Sequence, residues 1–310
     1  MASYAFIQLD VFTDRAFCGN PLAVFPEAEG LTGEQMQQIA REMNLSETVF
    51  VLPTQHENAL RRLRIFTPAR ELPYAGHPVV GTWNALAREG VVPLPENGSG
   101  WTQIWQEVGI GVLPVEIEFK DREPVQVVMT QGKFEICGEI EDWHEQADIA
   151  RALGLAREDL DEGLPIQVIS TGLSALAVPI RSLSDLGHCR INQAMLAEIY
   201  ARSGATGCYA FTRETAEIGE ARAHARFFVS EIGEDPATGS AAGALGGYLV
   251  HHAAIDTEPS EGVRRFVIEQ GDFMNRPSRI SIEVKGEAGK VEQVRVGGES
   301  VVVARGELEF

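Results

Sequence analysis

Two kinds of segment alternate along the chain: short runs of β-branched and aromatic residues, and longer stretches whose apolar positions fall three or four apart. The first kind predicts strands at 5–11, 22–25, 48–52 and 62–66. The second kind predicts helices. Over 32–43, Thr32 and Gln35 form a capping pair, and Met36, Ile39, Ala40 and Met43 share one face. A second helix is expected from Pro78, a residue suited to a first turn that has no intrahelical donor to lose. Val79, Val80, Trp83, Leu86 and Ala87 make its surface broadly apolar, and Gly90 provides a stop. The Pro-, Gly- and Asn-rich stretch 91–100 reads as a loop, and two strands follow near 104–110 and 115–119. The charged segment 120–124 reads as a linker.

The second half repeats the plan. Strands are expected at 167–171 and 175–180, then an amphipathic helix over 191–203 carrying Met195, Leu196, Ile199 and Tyr200. Strands at 208–212 and 223–229 lead to a helix over 240–252. An insertion at 142–163 contributes a further helix, and strands near 265–270, 279–284 and 301–304 close the chain. The order strands, helix, strands, buried helix thus occurs twice, which points to duplication. It lacks the βαβ rhythm of a parallel sheet. The expected class is α+β: two pseudo-symmetric domains, 1–119 and 120–310, of mostly antiparallel strands wrapped round a central helix. Whether the last strand returns to the first domain is left open by the pattern.

Two segments deepen the repeat. Glu71-Leu-Pro73-Tyr-Ala75-Gly76-His77 and Glu234-Asp-Pro236-Ala-Thr238-Gly239-Ser240 align without a gap, each after a strand (Ile65-Phe66; Phe227-Phe228) and each opening a helix. A weaker echo pairs Leu22-Ala23-Val24 with Leu176-Ala177-Val178. One copy alone reads as a tight turn before a helix; two in register argue for a shared structural role. A helix start leaves four N–H groups without intrahelical partners and carries partial positive charge. Glycine just before it permits close approach. With both helix starts facing one cleft, the amides of Gly76, His77, Gly239 and Ser240 would cradle a small carboxylate or a developing enolate.

Composition narrows the partners. The 310 residues suit two domains, and 44% hydrophobic residues allow a sizeable core. Lys and Arg number 26 against 45 Asp and Glu, a net charge of −19 that disfavours nucleic acid and anionic membrane. There is no signal-peptide pattern and no run long enough to span a bilayer. Cys18, Cys137, Cys189 and Cys208 lack any Cys-x-x-Cys spacing and read as reduced, buried thiols of a cytoplasmic protein. No His-x-x-x-His pair suggests a metal. Gly109-x-Gly111 lacks the third glycine and the following helix of a dinucleotide fingerprint, which argues against a nicotinamide oxidoreductase. No cofactor is expected.

Taken together, Asp10-Val-Phe-Thr, Gly19-Asn20-Pro21-Leu22, Asn44-Leu-Ser46-Glu47-Thr48, Arg64-Ile-Phe-Thr67-Pro68, the two aligned motifs, Glu269-Gln270-Gly271 and Arg276-Pro277-Ser278 resemble the phenazine-biosynthesis PhzF family. The resemblance runs nearly end to end. It implies a diaminopimelate epimerase fold, two similar domains around a cleft, and a homodimer. It also implies that Glu47 acts as acid/base, with Asp235, His77 and Ser240 at matching active-site positions. Gly76, Gly239, Thr238 and Asn20 would contact the substrate. The name-giving member isomerises trans-2,3-dihydro-3-hydroxyanthranilate.

Read without the resemblance, these residues are less telling. Glu47 suits an exposed turn, His77 a helix start, and Asp235 a turn cap that accepts from Thr238; Asn20 is first a turn residue. A neutral His77 imidazole is expected at a helix start. Related amino-acid epimerases and proline racemases carry a cysteine before each glycine, where this chain has Ala75 and Thr238. Neither residue exchanges a proton with carbon, so two-thiol chemistry is not available. Ser230-Glu231 and Asn275 also depart from the family pattern and leave the substrate's identity open. The expectation is a cofactor-independent isomerase that moves a proton on a small carboxylate. The alternative is a non-catalytic binder of small carboxylates on the same fold.

Overall fold

Helices with apolar or small residues on every face must be enclosed, and each half of this chain encloses one in strands. The computed structural model describes residues 2–230 and 232–310; Glu231, part of one departure noted above, lies outside the described residues. The chain divides into two units, Met1–Thr130 with Gly297–Phe310, and Gln131–Val296.

The first unit contains β1 (Ser3–Val11), β2 (Asn20–Phe25), α1 (Gly33–Met43), β3 (Glu47–Leu52), β4 (Arg61–Phe66), β5 (Glu71–Leu72), α2 (Gly76–Arg88), β6 (Gly100–Val108), β7 (Gly111–Lys120) and β8 (Glu123–Thr130). The chain's final strand, Ser300–Glu309, completes it by pairing with β1. The sheet runs final strand–β1–β2–β3–β4–β6–β7–β8, parallel only at β2–β3 and β4–β6, with β5 on β4. Helix α2 is buried except at Arg88 and packs on β1, β2, β3, β8 and the final strand. Its fully buried Trp83 donates through Nε1 to Gln106 Oε1 at 2.7 Å. Helix α1 lies outside the sheet, held by the expected Thr32–Gln35 capping box, and buries Met36, Ile39 and Ala40 beside Phe25, Phe50 and Phe66.

The second unit contains β9 (Glu135–Glu139), α3 (Trp143–Ala152), β10 (Gln167–Ser170), β11 (Ser174–Pro179), α4 (Leu183–His188), α5 (Gln193–Ser203), β12 (Cys208–Thr212), β13 (Ala221–Val229), β14 (Gly233–Asp235), α6 (Gly239–His251), β15 (Val263–Gln270), β16 (Ser278–Glu287) and β17 (Lys290–Gly298). Strands pair in the order β9–β10–β11–β12–β13–β15–β16, parallel at β11–β12 and β13–β15, with β14 on β13. This repeats the first unit's order from the final strand through β7, with the parallel pairs in the same places. Helix α6 takes the place of α2, and its small residues are needed for close packing. A Cβ at Gly246 would sit 2.5 Å from Ile282, and one at Gly247 2.5 Å from Phe134. Helices α3 and α5 cover the outer face through Ile149, Leu153, Leu196 and Ile199.

Three expectations change, and one question left open by the sequence is settled. Lys120–Pro124 is a hairpin turn and not a linker: Lys120 pairs with Glu123 across Asp121 and Arg122, whose φ values of 50° and 71° match the twist of the flanking strands. The units therefore part at Thr130, not at Phe119, because β7 and β8 are one ladder. The final strand belongs to the first unit, where it holds the position that β9 holds in the second. Helix α2 also begins two residues before Pro78, which still falls in the donor-free first turn. Among the described residues no helix is long and apolar enough to cross a membrane.

Candidate active site

Helix caps separate the two motif helices from the others. Helices α1, α3, α4 and α5 each start under a side chain that accepts from the backbone, namely Thr32, Asp142, Ser182 and Asn192. Helices α2 and α6 have no such cap. Their N-cap residues are Ala75, which has no polar side-chain atom, and Thr238, whose hydroxyl donates to Asp235 Oδ2 instead. The two motif helices thus keep first-turn amides that their own caps do not satisfy.

In the first unit the sharp turn before β2 sets the geometry. Gly19 has φ +64°, and a Cβ there would lie 2.3 Å from the Val11 carbonyl oxygen, so no other residue fits. Asn20 follows, fully buried, with Nδ2 3.3 Å from His77 Nδ1. His77 is the second residue of α2, and its Nε2 lies 3.3 Å from Glu47 Oε2. Glu47 opens β3, the parallel neighbour of β2, and its side chain is 16% exposed. Burial lowers the His77 pKa to about 3, so the imidazole is neutral. The helix start acts in the same direction. Buried Asn20 and His77 and half-buried Glu47 thus form one row.

In the second unit Asp235 ends β14 and is 8% exposed. The turn after it is held by Gln270, a fully buried residue at the end of β15. Gln270 Nε2 donates to the Asp235 carbonyl at 2.7 Å and to Thr238 Oγ1 at 3.2 Å. Its Oε1 accepts from the Tyr209 hydroxyl at 2.8 Å and the Thr238 amide at 3.2 Å. The Thr238 hydroxyl thus donates to Asp235 and accepts from Gln270. Gly239 and Ser240 open α6, and the Ser240 carbonyl accepts from Thr171 Oγ1 at 3.3 Å. No carboxylate in this unit matches Glu47: the residues entering β12 are Thr206, Gly207 and Cys208. The Cys208 thiol is fully buried, and burial raises its pKa.

The glutamates of the aligned motifs have another job. Glu71 accepts from Arg64 Nε and Nη2, both at 2.7 Å, and Glu234 accepts from Arg226 Nε and Nη2 at 2.8 and 2.7 Å. Each guanidinium also lies over the phenylalanine two residues on, Phe66 at 5.1 Å and Phe228 at 5.0 Å. These pairs brace the strand against the turn that opens the motif helix. The signal was present in the sequence as Arg64-Ile-Phe66 and Arg226-Phe-Phe228, each preceding its glutamate. Gln270 and Tyr209 had no comparable signal.

A family profile described as phenazine biosynthesis-like protein matches residues 9–306. The trans-2,3-dihydro-3-hydroxyanthranilate isomerase of Pseudomonas aeruginosa is 33% identical over 306 residues, covering 98% of each chain. The chain belongs to the PhzF family. A PhzF-family phenazine biosynthesis protein from Bacillus anthracis covers 100% of both chains with a TM-score of 0.85 at 29% identity. A hydroxyproline epimerase from Agrobacterium vitis, at 12% identity and a TM-score of 0.63, shares the fold alone. The epimerase-like α+β class expected from the sequence is therefore the fold of this PhzF-family chain, which its named relatives mark as an isomerase. Among the described residues no group of three or more His, Cys, Asp or Glu side chains could hold a metal.

Proposed function

We propose that this PhzF-family isomerase works without a cofactor and moves a proton on a small carboxylate substrate, with Glu47 as the acid/base. The observation that carries the reading is the buried contact between Glu47 and the neutral His77 at the uncapped start of α2. A carboxylate beside a neutral imidazole can take a proton from carbon next to a conjugated system and return it elsewhere. His77 and Asp235 orient or assist, and the amides of Gly76 and Gly239 stabilise developing charge, with Ser240 contacting the substrate carboxylate. Ala75 and Thr238 stand where the thiol enzymes have cysteine, which supports a single carboxylate rather than two thiols.

The name of the Pseudomonas relative supplies the first substrate to try, trans-2,3-dihydro-3-hydroxyanthranilate. Incubation in D₂O is expected to place deuterium in the carbon framework of the product. Glu47→Gln is expected to abolish that incorporation while ligand binding persists; activity retained in this variant would remove Glu47 from the mechanism. Binding with no exchange in the unaltered protein would favour the alternative, a non-catalytic carboxylate binder. A cytoplasmic homodimer is the assembly that family membership suggests, and sedimentation would test the dimer.

A further inference from the structure

The row Asn20–His77–Glu47 has a direction. An amide nitrogen only donates, so His77 Nδ1, 3.3 Å from Asn20 Nδ2, accepts. A neutral imidazole carries one proton, and with Nδ1 accepting it resides on Nε2. That nitrogen faces Glu47 Oε2 at 3.3 Å.

We propose that Asn20 is a positioning residue that fixes His77 as the Nε2–H tautomer and so sets the imidazole proton on the side of Glu47. Asn20 itself touches no reacting atom. Its placement is firmly set: the Gly19 turn admits only glycine, Asn20 pairs with Val11 across β1–β2, and the residue is fully buried. Swinging the amide over would put an oxygen against Nδ1 and move the imidazole proton away from Glu47. Two acceptors, Nε2 and Oε2, would then face each other.

The tautomer has a consequence for proton transfer, and this step alone rests on the isomerase reading above. His77 Nε2 stands 3.3 Å from Glu47 Oε2. A proton taken from substrate carbon goes to the Glu47 carboxylate: the C–H bond breaks, an O–H bond forms, and the electron pair stays in the substrate's conjugated system. Returning the proton to another carbon reverses these steps. His77 keeps its own proton throughout, beside Glu47, and is not the proton carrier.

The test uses the full chain labelled with ¹⁵N-histidine, with the His77 ring signals assigned by their loss in His77→Gln. At neutral pH the unaltered protein is expected to show Nε2 protonated and Nδ1 bare. Asn20→Asp replaces the donor with an acceptor and is expected to place a proton on Nδ1. Asn20→Leu removes the donor alone and is expected to give a mixture of tautomers. A protonated Nδ1 in the unaltered protein, or a bare Nδ1 persisting in Asn20→Asp, overturns the proposal. Should Asn20→Asp not fold, the spectrum of the unaltered protein still decides. In turnover, Asn20→Leu is expected to lose about 10²-fold in kcat with little change in KM. Failure of the unaltered protein to turn over or exchange any candidate sinks the isomerase reading and leaves the tautomer result standing.

Discussion

Glu234 presents both carboxylate oxygens to the Arg226 guanidinium, at 2.8 and 2.7 Å, behind the turn that opens α6. The remaining arginine nitrogen donates to the carbonyls of Leu186 and Cys189, so each guanidinium nitrogen has an acceptor. The first unit has the same pair in Arg64 and Glu71, but in a wetter setting. There the side chains are 23% and 42% exposed, against 8% and 16% for Arg226 and Glu234.

That difference sets unequal costs. Glu234→Gln strands a buried guanidinium and is expected to destabilise by about 3–5 kcal/mol. Glu71→Gln breaks a screened pair and is expected to cost about 0–1 kcal/mol. Urea denaturation of both variants measures the contrast, and equal losses would mean that exposure does not set the balance.

His77 links stability to pH. Its folded value, lowered by burial from 6.5 to about 3, means the unfolded chain binds a proton that the folded chain refuses. The neutral form's contribution is therefore fully present above pH 6.5 and is lost as pH falls toward 3. His77→Gln is expected to flatten the stability profile across this window. Denaturation midpoints collected against pH will show it, and an unchanged slope would contradict a buried neutral imidazole.

Besides the Thr238 hydroxyl, Gln270 holds three groups: the Tyr209 hydroxyl, the Thr238 amide and the Asp235 carbonyl. Gln270→Leu leaves all three buried without this partner, at about 1–3 kcal/mol each. A total loss of about 3 kcal/mol or more is expected by chemical denaturation. Tyr209→Phe removes one donor and should cost about 1 kcal/mol.

Deleting 300–310 removes the strand that pairs with β1 along its whole length, from Ser3 against Glu309 to Val11 against Ser300. Hydrogen exchange is expected to quicken in β1 of the N-terminal unit and to stay slow in β10 and β11. Loss of protection in the residues nearest the cut instead would contradict the pairing.

The local patterns of this sequence were enough to place α1, α2, α5 and α6, most strands, the duplication and the fold class. Those features depend on periodicity and on turn residues such as Gly19 and Pro78, which act within a few positions. The family motifs likewise pointed to Glu47, His77, Asp235 and Ser240. What the motifs did not reveal is how their residues are partnered. Glu71 and Glu234 stood out only as aligned motif positions and are braces for Arg64 and Arg226. Asn20 looked like a turn residue and reaches His77, 57 positions away. The segment 120–124 carried a linker's composition and is a hairpin, because β8 continues the ladder beyond it. Only the tertiary structure decided these, since a hydrogen bond or a strand pairing between distant segments leaves no local period. The same holds for the final strand: nothing in 300–310 says which unit it completes, and that choice rests on the open edge that β1 offers.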